Sequence, residues 1–144
     1  MYLNELLDYT ANRWPDKAAF IEEDTTVSYS ALAAQVAAWA EKLQRLDLPP
    51  GSRVGLQYPN SVQYVALTFA LWRVQAVVVP HPTECTAEEI AEITTVMELA
   101  GRLSPTPTEA AVRLGPDCFF TKFNPPQPPE FLQQPYLDNQ RNRR

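Results

Sequence analysis

Ala76-Val77-Val78-Val79 is an unbroken apolar run, mostly β-branched, and no other feature constrains the fold of this chain as strongly. A strand that is apolar on both faces has to be covered on both faces. The run follows a strand-like segment from Arg53 to Tyr58 and a helical stretch between them, joined by short loops. That order is what a buried parallel strand shows in a right-handed βαβ unit. With 144 residues the chain has the length of one domain, and the fold class it implies is α/β with a mainly parallel sheet.

The remaining elements follow from periodicity and punctuation. Leu3, Leu6, Leu7, Thr10, Ala11 and Trp14 share a helical stripe, and Pro15 cannot continue it, so a first helix is expected over Leu3 to Arg13. Ala18 to Ile21 and Val27 to Tyr29 flank polar Glu22 to Thr26 and read as a hairpin. Ser30 is the expected cap of an alanine-rich helix with Leu32, Val36, Trp39 or Ala40, and Leu43 on its inner face. Leu48-Pro49-Pro50-Gly51-Ser52 is a turn, and Pro59-Asn60-Ser61 stops the next strand. Val62, Val65, Phe69 and Trp72 are the expected inner face of a third helix. Thr86-Ala87-Glu88-Glu89 forms a capping box, and Ile90, Ile93, Met97 and Ala100 continue a fourth helix that Gly101 is expected to end.

Fourteen prolines stand against four glycines, and they gather in the last third of the chain. Three segments result: an α/β part over 1–101, a weakly structured extension over 102–123, and a tail over 124–144 expected to be disordered. Within the extension, Ala110 to Leu114 and Cys118 to Phe123 each read as a strand, with no amphipathic helix between them.

Twelve Lys and Arg against seventeen Asp and Glu give a formal charge of −5, which argues against nucleic-acid binding by phosphate neutralisation. No apolar run has the length of a membrane span. The opening Met1-Tyr2-Leu3-Asn4-Glu5 lacks the basic-then-apolar pattern of a secretory signal, so a cytoplasmic location is expected. Cys85 and Cys118 are too far apart for a Cys-x-x-Cys motif.

Each candidate for chemistry has a plainer reading. His81, the only histidine, is expected to be a structural or solvent-facing ring after a strand. Glu84, Glu88, Glu89 and Glu92 can do acid-base work, but carboxylates at a helix start also stabilise its dipole, and that reading is preferred. Cys118, beside two phenylalanines, reads as a buried small hydrophobe. Arg141, Arg143 and Arg144 read as a frayed basic end. Gly51, Gly55, Gly101 and Gly115 fit no phosphate-loop frame. The expectation is therefore no catalytic, cofactor-binding or metal-binding residue in this chain.

The order of the pieces is more telling than any one of them. Pro15-Asp16-Lys17-Ala18-Ala19, Val27-Ser28-Tyr29-Ser30-Ala31-Leu32, Gly51-Ser52-Arg53-Val54, Pro59-Asn60-Ser61 and Ala76-Val77-Val78-Val79-Pro80 follow one another along the chain. Together they resemble the start of the adenylate-forming superfamily, which includes acyl-CoA synthetases, AMP-dependent ligases and adenylation domains. One departure stands out, since Gln75 occupies the place of the family's glycine before the last of these strands. The resemblance implies a partial N-terminal subdomain of an enzyme that activates a carboxylate with ATP and Mg. The family's Ser/Thr/Gly-rich ATP loop ending in Pro-Lys does not occur here. The chain thus reads as a truncated fragment, inactive alone, whose partner is the missing remainder of the ligase or a second copy. The alternative is a small free-standing interaction protein that pairs with a separately encoded remainder or an intact relative.

Overall fold

A computed structural model describes residues 2–123, so the tail over 124–144, with Arg141, Arg143 and Arg144, lies outside the described residues. The elements in chain order are α1 (Leu3–Arg13), β1 (Ala18–Glu22), β2 (Thr25–Ser28), α2 (Tyr29–Gln44), β3 (Arg53–Leu56) and α3 (Val62–Arg73). They continue with β4 (Val77–Pro80), α4 (Ala87–Val96), β5 (Gly101–Ser104), β6 (Ala111–Gly115) and β7 (Cys118–Lys122).

The first helix has the expected bounds. The Trp14 N–H still donates to the Thr10 carbonyl at 2.8 Å, and Pro15 ends the ladder there. β1 and β2 pair as the expected antiparallel hairpin and stay separate from the main sheet. The cap of α2 is Ser28 and not Ser30: the Ser28 hydroxyl accepts from the Ala31 N–H at 3.2 Å. β2 runs into α2 without a linker, so the last strand residue serves as the cap and Ser30 falls in the first turn.

The main sheet has the order β4-β3-β5-β7-β6. β3 pairs in parallel with β4 and with β5, while β7 pairs antiparallel with both β5 and β6. From β3 the chain moves through α3 to β4 on one side, then returns through α4 past β3 to β5 on the other. Right-handed crossovers in opposite directions put their helices on opposite faces, so α3 and α4 flank the sheet. β6 and β7 need no helix because an antiparallel pair closes by a tight turn, here at Pro116-Asp117. The 102–123 stretch, expected to be a weakly structured extension, supplies most of β5 and all of β6 and β7. The sheet continues across Gly101 without a boundary.

The core lies on the first face. Leu32, Val36, Ala40 and Leu43 of α2 pack with Ala66, Leu67, Ala70 and Leu71 of α3 over Val54, Leu56, Leu103 and Phe120 of the sheet. The inner stripe of α3 thus differs from the expected one. Val62, Val65, Phe69 and Trp72 flank it and are only partly buried. A helix apolar on most of its circumference gives no single stripe to read, and the two small alanines let α2 approach most closely. β4 likewise sits at the sheet edge with Val77 to Val79 half-buried, because β3 takes the centre. Its last residue, Pro80, has no N–H to offer a further strand.

Two helices end without the glycine that such ends favour. At the end of α3 the Gln75 N–H donates to the Trp72 carbonyl and the Ala76 N–H to the Leu71 carbonyl, with Gln75 left-handed at φ 65°. At the end of α4 the Glu98 N–H reaches Thr95 and the Leu99 N–H reaches Thr94, with Glu98 at φ 52°. Both are Schellman closures. Glu98, and not Gly101, ends the fourth helix; Gly101 opens β5, where a Cβ would overlap the Phe120 ring.

Two expectations follow for stability in urea. Leu67→Ala should cost about 2–5 kcal/mol, whereas Val62→Ala should cost about 1 kcal/mol or less. Gln75→Gly should raise stability by about 0.5–1 kcal/mol, because a β-carbon is strained in the left-handed region. A neutral or destabilising Gln75→Gly would show that the closure carries no such strain.

Candidate functional site

Parallel α/β sheets gather their functional groups where the strands end at their carboxyl edge. Gln57 follows β3 there, His81 follows β4, and Arg102 and Ser104 belong to β5. Strand alternation sends Val54 and Leu56 into the core and leaves Gly55 on the second face. His81 lies over Gly55, where an added Cβ would stand 2.5 Å from the ring Nε2 and 3.2 Å from Leu99 Cδ1. The glycine is what makes room for the ring.

His81 is 3% exposed. Its backbone N–H donates to the Leu56 carbonyl at 2.8 Å, which holds the ring in register with β3. Among the described residues neither ring nitrogen makes a hydrogen bond, and neither does Arg102 Nε. The other end of the Arg102 guanidinium donates to Gln57 Oε1 at 2.9 Å, and Gln57 Nε2 donates in turn to the Pro82 carbonyl at 3.3 Å. Burial lowers the His81 pKa below its ordinary 6.5, and the Arg102 charge lowers it further. The Pro80 backbone pulls the other way, and by more than the Arg102 charge lowers it. Burial also lowers the Arg102 pKa. The cluster holds a neutral imidazole beside a cation, with no carboxylate to orient it and no nucleophile within it.

The other candidates are dispersed. Glu89 closes the capping box of α4 with Thr86, Glu88 and Glu92 are exposed on the same helix, and Glu84 accepts from the Thr83 hydroxyl at 2.8 Å. The helix-start role accounts for Glu89 and Glu88. Cys118 is fully buried, and burial raises its thiol pKa, which makes it a poor nucleophile. Its neighbour Tyr58 donates to the Asp117 carbonyl at 2.7 Å and tethers the end of β3 to the β6–β7 turn. Burial holds that phenol well above its usual range. Cys85 is a free thiol with its pKa raised by burial and by Glu89. No group of three or more His, Cys, Asp or Glu among the described residues can hold a metal ion. No helix among them is long and apolar enough to cross a membrane.

Gln57 and Arg102 escaped the sequence reading. Their signal is weak: a polar residue at each outward position of an otherwise apolar strand end. Gly55→Ala should lower stability by about 1–3 kcal/mol, because the ring and Leu99 must shift to admit the methyl. A thermal melt unchanged from the wild type would show that the ring is loosely held.

A family model of AMP-binding enzymes matches residues 7–113. Among curated proteins, the chain is 35% identical over 80 residues to the salicyl-AMP ligase / salicyl-S-ArCP synthetase of Mycobacterium tuberculosis, covering 52% of this chain and 14% of that one. It is 30% identical over 102 residues to the delta-poly-L-ornithine synthetase of Acinetobacter baumannii, covering 71% of this chain and 8% of that one. The N-terminal subdomain of Klebsiella oxytoca NpsA, solved with anthranilyl-AMSN, superposes with a TM-score of 0.69 at 27% identity. That match covers 75% of this chain and 28% of the other. An inhibitor-bound N-terminal domain of FACL13 from Mycobacterium tuberculosis gives a TM-score of 0.65 at 28% identity, over 69% of this chain and 25% of that domain. The chain spans less than a quarter of the length of the curated relatives it matches.

Proposed function

Because the chain belongs to the family of AMP-binding enzymes, we propose that it is an N-terminal sheet segment of a ligase that activates a carboxylate with ATP, and that it has no such activity alone. In the proposed reaction a carboxylate oxygen attacks the α-phosphorus of ATP, the α–β phosphoanhydride breaks, and pyrophosphate leaves from an acyl-adenylate. The observation that carries this reading is the family match over residues 7–113, which takes in most of α1, all of β1 through β5, and most of β6.

The chemistry belongs to other parts of such a ligase. A triphosphate needs clustered backbone N–H donors with a lysine or a cation. The four glycines of the chain stand in no phosphate-loop frame, and its formal charge is −5. Mg needs oxygen ligands gathered at one point, whereas Glu84, Glu88 and Glu92 are each exposed, without a shared centre. ATP and Mg therefore do not fit the residues present, and no step is assigned to a residue of this chain. A cytoplasmic location is part of the same proposal, supported by the free thiols of Cys85 and Cys118.

Calorimetry with ATP and with AMP should give no binding heat, and carboxylate-dependent pyrophosphate exchange should equal a buffer blank. Micromolar binding or measurable exchange would overturn the reading. A second reading, an interaction protein that pairs with a ligase remainder or with itself, draws support from β6, an outer strand with Val112 56% exposed. Size-exclusion chromatography distinguishes the two, since a partner protein gives a defined complex and an isolated segment a spread of self-associated species.

A further inference from the structure

The two faces of the main sheet are covered very differently. α2 and α3 each bury four residues against the first face, whereas α4 buries none. Ile90 and Ile93 are half-buried, and Val96 is 70% exposed. The Thr86–Glu89 box caps α4 locally, and at its finish the Arg53 guanidinium of β3 ties it to the sheet by donating to the Met97 carbonyl at 2.9 Å. Buried Leu99, just past the closure, packs near Gly55 beside the His81 ring. Elements with few buried apolar contacts open at the lowest free-energy cost.

We propose that His81 is an acid-sensitive latch whose protonation releases α4 from the second face of the sheet. Around the ring stand Gly55 of β3, Leu99 between α4 and β5, Arg102 of β5 and the Pro80 backbone of β4, which favours the charged ring but is outweighed by burial. Arg102 is the charged group that acts on the ring, and it is a cation. Arg53, also on β3, is engaged with Met97, and the carboxylates of α4 at Glu88, Glu89 and Glu92 are exposed. A neutral imidazole tolerates this site. An imidazolium brings two N–H donors to a place where, among the described residues, neither ring nitrogen makes a hydrogen bond, and it adds a positive charge beside a guanidinium.

The direction of the pH dependence follows from linkage. Folding lowers the His81 pKa below its ordinary 6.5, so the open form binds the proton more tightly. The closed form has its full advantage above about pH 6.5 and loses it as the pH falls below that value, by up to about tenfold in the opening equilibrium per pH unit, until the folded-state pKa is reached.

Hydrogen exchange on the full chain at pH 7.5 and 5.5, corrected for intrinsic rates, tests the latch. Amides over 87–99 should lose protection at the lower pH, by at most about tenfold, while those of α2, α3 and β3 hold theirs. His81→Gln, neutral at both values, should remove the difference. Equal loss in the variant, or no loss in the wild type, overturns the proposal. If the variant does not fold, the wild-type imidazole decides, because the only histidine gives one unambiguous resonance. A latch requires its titration and the α4 amide shifts to share a midpoint. A ring that titrates while the α4 amides stay unmoved overturns it.

Discussion

The parallel pairing of β3 with both β4 and β5 is the constraint on which the rest of the structure depends. A strand with a parallel neighbour on each side, the first reached from it and the second reached from the first by right-handed crossovers, fixes the faces taken by the two helices before any side chain is considered. It also fixes what β3 must carry. Val54 and Leu56 point into a core closed by two helices, and Gly55 between them faces a surface covered by one. The antiparallel β7–β6 addition then extends the sheet from β5 at little topological cost, tied back to β3 through Tyr58 and the Asp117 carbonyl.

From the same pivot comes the polar character of the second face. A histidine at the end of β4 fits there only because β3 presents a glycine, and Arg102 fits only because Gln57 accepts from it. A buried polar group without a partner costs of the order of 1–3 kcal/mol. Three such atoms, His81 Nδ1 and Nε2 and Arg102 Nε, lie here.

Much of the architecture was legible because it rests on local chemistry. Pro15 ends α1, Thr86 and Glu89 start α4, and the β-branched run at Ala76 to Val79 marks β4. What stayed hidden is set by partners distant in sequence. Which stripe of α3 faces inward depends on α2, since α3 is apolar on most of its surface. The edge position of β4 depends on β5 pairing with the far side of β3. Gln75, which departs from the family's glycine, adopts a left-handed conformation at φ 65°. The demand came from the Schellman closure, and the residue was forced to meet it. Of the candidate residues, His81 reads in the sequence as a structural or solvent-facing ring after a strand, and its burial decides for the first only through Gly55 and Leu99, which are remote in sequence.

The unequal covering of the sheet has a consequence for a segment of this kind. Burying four side chains from each of α2 and α3 gives the first face a core of its own among the described residues. Among the described residues the second face has no comparable reserve: the helix over it, α4, has every residue at least partly exposed, and the groups beneath it are polar. Stability should therefore be unevenly distributed, high in α2, α3 and β3 and low in α4. The relatives devote roughly three quarters or more of their length to residues without a counterpart in the matched region. Any covering they give the second face would act on its weakest element. A change in charge at His81 acts on that element from beneath, so outside cover and buried charge would bias one and the same opening.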